Sequence, residues 1–381
     1  MSYKIQEVFN RFYSSYTDKY GTNYEHAKVA KAIMSCKTNA LGANASICTD
    51  CGGIQVYYNS CRNRHCPCCQ ALVKEKWIDK QKEDVIDAPY FHVVFTVPSE
   101  LNPLIYSNKK TLYGLLYRAS ADTLLELGLN PKHLGAKVGF LSILHTWGSS
   151  LTFHPHIHSI VLGGGLTKEL KFASKKEDFL FPVRVVSRLF RGKFLANLKE
   201  LYKTKQLEFF GKAKKYEKRN EFEKLLTVLY KKEWIPHIKE TFKGAANVIA
   251  YLGRYTHNIA ISNSRIQKIS KEGITFKIKD YKSNQEKSMT LNPIEFIRRF
   301  LMHVLPKGFV KIRRYGILSN KSKKISLVIC RNILKGIYPK SRLAGLKTVE
   351  IIKELFGIDI LCCRHCGARN LKPYPYFHKM E

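Results

Sequence analysis

Seven cysteines lie between residues 36 and 69, and this cluster constrains the fold more than any other feature of the 381-residue sequence. Two pairs, Cys48 with Cys51 and Cys66 with Cys69, have the two-residue spacing of metal knuckles, and 14 residues separate the pairs. The spacing predicts a four-cysteine zinc ribbon, because each pair of thiolates can occupy two corners of a tetrahedron. Four sulfurs leave no open coordination position, so we expect a structural zinc ion.

The other cysteines give weaker signals. Cys36, Cys61 and His65 are candidates for a second zinc site, since Cys61 and His65 are one helical turn apart. A further knuckle, Cys363 with Cys366, lies near the C-terminus, but no second pair is close to it in sequence. We assign no role to Cys68 or to this C-terminal knuckle.

The charge of the chain predicts a polyanionic partner. Lysine and arginine number 65 against 30 acidic residues, which gives a formal net charge of +35 spread along the whole sequence. Self-repulsion of this size opposes compaction unless an anion offsets it, so nucleic acid is the expected partner. A generally lysine-rich surface is the alternative. A hydrophobic fraction of 45% indicates a folded protein rather than a disordered one.

The sequence also predicts a cellular location. It contains no apolar stretch long enough to cross a membrane, and its first residues lack the apolar core of a signal peptide. We therefore expect a cytoplasmic, nucleoid-associated protein with no membrane partner. A reducing compartment favours metal binding by the cysteines over disulfides.

Hydrophobic periodicity predicts an α+β fold with a central, mainly antiparallel sheet flanked by helices. Strands are expected at 90–97, 137–148 and 154–163, the last two forming an antiparallel pair. We predict three regions: N-terminal helices and a zinc-binding domain over 1–88, a sheet domain over 89–320, and a basic C-terminal region over 321–381. A basic helical insertion is expected near 188–240.

The stretch "FHPHIHSIVLGGGL" (153–166) places His154, His156 and His158 at alternate positions. Alternate residues of a strand share one face, so the three imidazoles would lie together. Burying several unpaired imidazoles costs free energy, and a metal ion would offset that cost. The pattern predicts a site held by His156 and His158, with His154 as the candidate third ligand. A lone histidine would more simply be structural.

The stretch "YLGRYTHNIAISNSRI" (251–266) places Tyr251 and Tyr255 four residues apart. On a helix these side chains would be neighbours, with Arg254 and Arg265 nearby. An aromatic stripe packed on the sheet is the simpler interpretation of such a pair taken alone.

The histidine strand and the tyrosine helix together resemble the HUH endonuclease superfamily. Within it, the chain is similar to the two-tyrosine transposases of rolling-circle insertion sequences that carry an N-terminal zinc-binding domain. The segments "SCRNRHCP", "YFHVVFTVP" and "EFIRRFLMHVLPKGFVKIRRYG" add to the resemblance. It implies that 89–320 is an HUH catalytic domain. It also implies that His156 and His158 bind the catalytic metal, that Tyr251 and Tyr255 are nucleophiles, and that the zinc cysteines are Cys48, Cys51, Cys66 and Cys69, with Cys36 and Cys61 also matching.

The resemblance implies a DNA transposase that cleaves and rejoins single-stranded DNA through a 5′-phosphotyrosine link, with Mg²⁺ or Mn²⁺ as cofactor. The link conserves the phosphodiester energy, so no ATP is expected, and no P-loop motif is present. The expected partners are insertion-sequence ends and target DNA, and a homo-oligomer is left open. Candidate DNA contacts are Arg254, Arg265, Lys311, Arg313 and Arg314.

Three other interpretations remain at this point. A plasmid-type rolling-circle replication initiator or relaxase would use the same chemistry. A zinc-ribbon protein that binds nucleic acid without cleaving it would make the histidines structural. An inactive descendant of a transposase would retain the same residues.

Overall fold

The computed structural model describes residues 4–174, 180–242, 248, 253, 260–280, 283, 285–336 and 338–374. In these ranges the helices are α1 (Ile5–Tyr20), α2 (Tyr24–Ser35), α3 (Gln70–Lys82), α4 (Asn102–Ser107), α5 (Lys109–Leu129), α6 (Val183–Lys203), α7 (Arg219–Lys231), α8 (Pro293–Met302), α9 (Lys323–Leu334) and α10 (Thr348–Phe356). The strands are β1 (Ala43–Cys48), β2 (Ile54–Tyr58), β3 (Tyr90–Thr96), β4 (Lys137–Trp147), β5 (Phe153–Leu166), β6 (Phe172–Ser174), β7 (His237–Phe242), β8 (Ile266–Ile269), β9 (Ile274–Lys279), β10 (Glu286–Leu291), β11 (Ile312–Gly316) and β12 (Leu371–Pro373).

A six-stranded sheet forms the centre of the molecule. Its strand order is β11-β4-β5-β3-β7, with β6 paired to the end of β5, and every pairing is antiparallel. The predicted α+β class with a mainly antiparallel central sheet is confirmed, as is the predicted antiparallel pairing of β4 and β5. The segment 251–259, where the tyrosine helix was expected, lies outside the described residues except for Gly253.

The two faces of this sheet have different neighbours. On one face, Phe91 and Phe95 of β3 pack in a single apolar cluster with Tyr117 of α5 and Phe190 of α6. On the other face, residues of β3, β4 and β5 pack with residues of α9, including Leu327. Successive side chains of a strand point to opposite faces of the sheet, so residues of one strand contribute to both apolar clusters.

The N-terminal helices α1 and α2 pack in one apolar cluster with α8. A glycine with positive φ, Gly21, ends α1, and the Asn23 side chain caps α2 by accepting from the His26 N–H. Phe9 of α1 meets Phe300 of α8 edge to face, with ring centroids 5.3 Å apart. This core therefore crosses the predicted boundary at residue 88, and the domain limits stay predictions.

A second sheet joins the two ends of the chain. Its order is β12-β1-β2, and β12 pairs antiparallel with β1 so that Lys372 lies opposite Ile47. A third sheet of three strands has the order β10-β9-β8. None of the helices that the structure describes is long and apolar enough to cross a membrane.

Candidate functional site

Three buried histidines converge on the central sheet. His145 comes from β4, and His156 and His158 come from β5. Their ligand nitrogens all lie within 4.8 Å of one another. His145 is directly opposite His156 in the β4–β5 register, which brings the third imidazole onto the same face as the two predicted ones.

The histidine face is the polar end of an otherwise apolar sheet face. Continuing along β5 by two residues at a time leads from His156 and His158 to the buried Ile160 and Leu162. These apolar residues belong to the cluster that packs with α9. The strand alternation therefore fixes where the imidazoles point, and the packing of the apolar end holds the strand in place.

Hydrogen bonds set the protonation of the ring nitrogens. His156 Nδ1 lies 2.7 Å from the carbonyl oxygen of His154, and a carbonyl can only accept, so Nδ1 carries the hydrogen. The lone pair of His156 is then on Nε2. His158 Nδ1 lies 2.7 Å from Nε2 of His92 on β3. If the hydrogen of that pair is on His158 Nδ1, its Nε2 also has a lone pair for a ligand.

Burial keeps these imidazoles neutral. It lowers the pKa of His156 to about 4, and it lowers the pKa of His158 well below the ordinary histidine value, with the neighbouring histidines adding to the effect. Burial also lowers the pKa of His92 to about 3. Neutral imidazole is the form that ligates a metal, so the donor set suits a divalent cation near pH 7.

His154, the predicted third ligand, is not a member of this group, and His145 takes its place. His154 is only half-buried near the start of β5, and its backbone carbonyl is the part that contacts His156. One signal for His145 was present in the sequence: it lies in "LHTWG", near the end of the strand expected to pair with the histidine strand. His92, the partner of His158, was also missed, although it lies in the predicted strand 90–97.

The three histidines open onto a cavity of about 830 Å³ with basic side chains in its walls. The cationic lining residues are Lys74, Arg265, Lys277 and Lys279. Glu286 is the acidic residue among those that line it, and it pairs with Lys277 at 3.3 Å. The cavity therefore combines a set of neutral metal ligands with a positively charged wall.

The predicted nucleophiles, Tyr251 and Tyr255, lie outside the described residues, as does Arg254. Gly253, which is two residues from each tyrosine, is described and lies against α3. A Cβ atom at Gly253 would be 2.6 Å from Ile78 Cδ1 and 3.7 Å from Lys74 Cε. Lys74 and Ala260 both line the histidine cavity. Gly253, between the two tyrosines, and Ala260, five residues after Tyr255, thus lie at or beside this cavity.

The cysteines form two groups, and the predicted zinc ribbon of Cys48, Cys51, Cys66 and Cys69 is wrong. Cys66 and Cys69 join Cys36 and Cys61, whereas Cys48 and Cys51 join Cys363 and Cys366. In each group the sulfurs lie within 4.8 Å of one another. The prediction grouped the two knuckles that are nearest in sequence. In the structure, the end of α2 places Cys36 beside the knuckle of Cys66 and Cys69, and the β1–β12 pairing places the C-terminal knuckle beside that of Cys48 and Cys51.

His65, the other candidate ligand of a second zinc site, belongs to neither cysteine group. Its Nε2 lies 3.4 Å from the backbone N–H of Leu305 and accepts from it. Burial and the nearby cations, Arg64 first among them, lower the pKa of His65 to about 3. The side chain is thus a neutral packing residue against the segment after α8.

The candidate DNA-binding residues differ in the contacts that they make within the protein. Arg265 lines the cavity, but its guanidinium donates to the carbonyls of Lys277, Ser149 and Ala260. Burial lowers the pKa of Lys311 to about 7, with Arg64 adding to the effect.

The two neighbouring arginines of β11 are also engaged within the protein. Arg313 lies over the rings of Tyr117 and Phe309. Arg314 pairs with Asp84 at 3.2 Å. These contacts hold β11 in place, and a role in DNA binding stays a prediction for each candidate.

Comparison with known proteins identifies the class. Residues 139–325 match a family model described as "Putative transposase", and residues 8–97 match one described as "Transposase zinc-binding domain". The first match contains most of β4, all of β5 and the three histidines, and the second contains six of the eight clustered cysteines. The matches define a transposase with a zinc-binding domain.

Relatives at the level of the whole chain agree. "Putative transposase y4qJ" of Sinorhizobium fredii (strain NBRC 101917 / NGR234) is 41% identical over 368 residues, which is 95% of this chain and 92% of the relative. "Transposase for insertion sequence element IS801" of Pseudomonas savastanoi pv. phaseolicola is 27% identical over 351 residues, 88% of this chain and 80% of the relative. No solved structure matches the chain. The chain belongs to the IS91-type family of insertion-sequence transposases, and the resemblance inferred from the sequence is confirmed.

Proposed function

We propose that this transposase cleaves and rejoins single-stranded DNA through a 5′-phosphotyrosine link formed by Tyr251 or Tyr255. The observation that carries the proposal is the convergence of His145, His156 and His158 in a basic cavity. This arrangement offers both a divalent metal site and a surface for a phosphodiester backbone. The proposed reaction is the chemical step of moving an insertion sequence from one DNA site to another.

The donor set fits a divalent cation. Three imidazole nitrogens leave coordination positions for water and a phosphate oxygen, and imidazole suits Mn²⁺ better than Mg²⁺, which prefers oxygen ligands. A bound cation there would polarise the scissile phosphate and offset the charge that develops on it. His145, His156 and His158 would hold the ion, and His92 would fix the orientation of His158.

The cavity wall supports a single-stranded substrate. Lys74, Lys277 and Lys279 provide cations for the phosphates, and Trp147, whose ring stacks on His145, also lines the cavity. A DNA phosphate must enter the cavity to reach the histidines on the sheet. An unpaired DNA strand therefore suits the cavity better than a duplex. We expect binding at the ends of the element and at its target.

The tyrosine segment is proposed to face this cavity. Gly253 lies beside Lys74, and each tyrosine is two residues from Gly253, so their Cα atoms are within about 8 Å of it. The contact of Gly253 with α3 restricts how far that segment can lie from the cavity. Two tyrosines on one segment would allow two successive cleavages without release of the DNA.

The proposed step conserves one phosphodiester bond. The phenolate oxygen of a tyrosine attacks phosphorus, the P–O3′ bond breaks, and the leaving 3′ oxygen takes a proton to become a hydroxyl. A 3′-hydroxyl of the receiving strand later attacks the same phosphorus and displaces the tyrosine. Because each bond broken is replaced by an equivalent one, the reaction needs no ATP.

Trapping of a covalent adduct tests the proposal. The protein is incubated with Mn²⁺ and 3′-labelled single-stranded oligonucleotides that tile the DNA flanking its own gene, and adducts are resolved on a denaturing gel. We expect an adduct with the native protein and none with Tyr251→Phe/Tyr255→Phe. His145→Ala should reduce the adduct by more than about 100-fold, since metal-assisted charge stabilisation contributes several kcal/mol.

His154→Ala is the matched control, because His154 lies beside the group without belonging to it. It should retain most of the activity. An adduct that survives the double tyrosine change would contradict the assignment of the nucleophiles. Loss of the adduct in His154→Ala but not in His145→Ala would contradict the ligand set. Binding without any adduct would favour a non-catalytic nucleic-acid-binding protein.

A structural zinc ion is proposed for the group of Cys36, Cys61, Cys66 and Cys69. The Sγ atoms of Cys36 and Cys61 each lie 3.5 Å from that of Cys69. Cys36 lies at the end of α2, and the other three cysteines lie between β2 and α3, so the ion would join the N-terminal helices to the helix that lines the cavity. All four lie within the matched zinc-binding region.

A further inference from the structure

The N-terminal and C-terminal knuckles share one sequence pattern and the same turn. Both read Cys-x-x-Cys-Gly, in Cys48–Gly52 and Cys363–Gly367. The glycine has a positive φ in each, +69° at Gly52 and +77° at Gly367, and its N–H donates to the carbonyl of the first cysteine at 2.9 Å in each. Glycine is suited to this position because other residues are strained there.

The hydrogen bond that closes each knuckle is repeated as well. The N–H of Cys48 donates to the carbonyl of Gly53 at 2.9 Å, and the N–H of Cys363 donates to the carbonyl of Ala368 at 2.8 Å. The knuckle of Cys66 and Cys69 lacks the glycine and has Gln70 in its place. The two matching knuckles are therefore a pair, although Cys51 and Cys363 are 312 positions apart in the sequence.

The four sulfurs of these knuckles have the spacing of a tetrahedral thiolate site. Cys48 Sγ lies 3.6 Å from Cys366 Sγ, and Cys51 Sγ lies 3.6 Å from Cys363 Sγ. A disulfide needs about 2.05 Å, whereas four sulfurs at about 2.3 Å from zinc are about 3.8 Å apart. The observed distances are near the second value, and all four cysteines are free.

The chain around the knuckles is built to hold them together. The Thr49 N–H donates to the Asn370 carbonyl at 3.0 Å, and the Asn370 amide donates to the Asp50 carboxylate at 2.8 Å. The buried Gln55 side chain accepts from the Arg364 N–H at 2.9 Å. A Cβ atom at Gly53 would lie 2.8 Å from the His365 ring, so glycine is required for the knuckles to approach this closely.

We propose that Cys48, Cys51, Cys363 and Cys366 bind a second zinc ion that joins the two ends of the chain. The C-terminal segment is then an integral part of the zinc-binding unit rather than a separate basic region. Cys363 and Cys366 lie outside both matched family regions. The proposal goes beyond DNA cleavage and does not depend on it.

Zinc content tests the proposal. Metal analysis of the full-length protein should give about two zinc ions per chain. Cys363→Ser/Cys366→Ser should lose one of them, and Cys61→Ser/Cys69→Ser should lose the other. Cys362→Ser and Cys68→Ser are matched controls, since each is adjacent to a ligand without belonging to a group, and both should retain two. Two zinc ions retained in Cys363→Ser/Cys366→Ser, or iron in place of zinc, would overturn the proposal.

A second measurement does not depend on the stoichiometry of the cysteine variants. A specific protease site is inserted after Lys340, which is exposed between α9 and α10. After cleavage, the C-terminal fragment of the otherwise native chain should copurify with the rest, and a zinc chelator should lower the urea concentration that releases it, because the β1–β12 pairing alone holds it less firmly. The Cys362→Ser fragment should behave in the same way. A fragment that dissociates in the presence of zinc without urea, or that is released at the same urea concentration with and without chelator, would contradict a zinc link between the two ends.

Discussion

At the scale of single residues, the site depends on which nitrogen of each imidazole carries a hydrogen. The carbonyl of His154 fixes that choice for His156, and His92 can fix it for His158. His154, which was predicted as a ligand, thus contributes its backbone carbonyl. His92, which was not predicted, supports the ligand His158 with its ring. A change of side chain at His154 leaves its carbonyl in place, whereas a change at His92 removes the partner of His158.

Removing His92 should weaken metal binding without removing a ligand. We expect His92→Ala to lower the affinity for Mn²⁺ by about 10–100-fold, the usual effect of losing a hydrogen-bond partner of a ligating histidine. Electron paramagnetic resonance of free Mn²⁺ in titrations of the full-length protein measures this directly.

His92→Gln serves as the conservative variant, because its amide oxygen can accept from His158 Nδ1. It should recover part of the affinity, and His154→Ala should not change it. An unchanged Mn²⁺ affinity in His92→Ala would show that His92 does not position His158.

At the scale of elements, β5 contributes most to the site, and its three glycines belong to the strand. The sequence predicted a strand that ends at 163, yet β5 continues through Gly164 and Gly165 to Leu166. A Cβ atom at Gly164 would lie 2.7 Å from the carbonyl oxygen of Ala173 in β6, and one at Gly165 would meet the carbonyl of Lys137 in β4. The glycines allow neighbouring backbones to approach closely, which anchors the strand that carries His156 and His158.

A side chain at Gly165 should therefore loosen the β4–β5 pairing. We expect Gly165→Ala to lower the free energy of unfolding by about 1–3 kcal/mol or more, because the added methyl group meets backbone atoms that cannot move aside easily. Chemical denaturation followed by circular dichroism measures the change.

Gly192→Ala is the control, since a Cβ atom there meets nothing within 4 Å and the position lies inside α6. It should raise the free energy of unfolding by roughly 1 kcal/mol, the usual difference between alanine and glycine in a helix. Equal stabilities of the two variants would contradict the close-packing explanation of the glycine run.

At the scale of the whole molecule, the net charge of +35 predicts binding to DNA that depends strongly on salt. Part of this charge is committed to internal contacts, as for Arg314 with Asp84. The lysines of the histidine cavity face a region with few acidic side chains. The affinity for single-stranded DNA should thus be concentrated there.

Replacing Lys279 tests this location. We expect Lys279→Gln to lower the affinity for single strands of different sequence to a similar extent, and to reduce the slope of log K against log salt by about 0.7, the value for one phosphate contact. Fluorescence anisotropy at several salt concentrations measures both quantities. Lys212→Gln, on a segment that does not line the cavity, should change the slope little. Equal effects of the two changes would indicate a diffuse electrostatic surface.

Local pattern by itself determined much of this protein. The alternation of "FHPHIHSIVL" predicted a strand with His156 and His158 on one face, and the apolar runs predicted β3, β4 and the antiparallel pairing of β4 with β5. The knuckle spacing identified cysteines that can bind zinc, and the combined motifs identified the transposase family. These features depend on the two-residue period of a strand and the short geometry of a knuckle, which nearby residues fix.

Only the tertiary structure decided which local pieces meet. His145 joins His156 because β4 and β5 pair in one register, and His92 joins His158 because β3 lies on the other side of β5. Cys48 and Cys51 group with Cys363 and Cys366 rather than with Cys66 and Cys69, because the β1–β12 pairing places the C-terminal knuckle beside Cys48. Contacts of this kind depend on packing between distant segments, and spacing along the chain carries no information about a partner some 300 residues away.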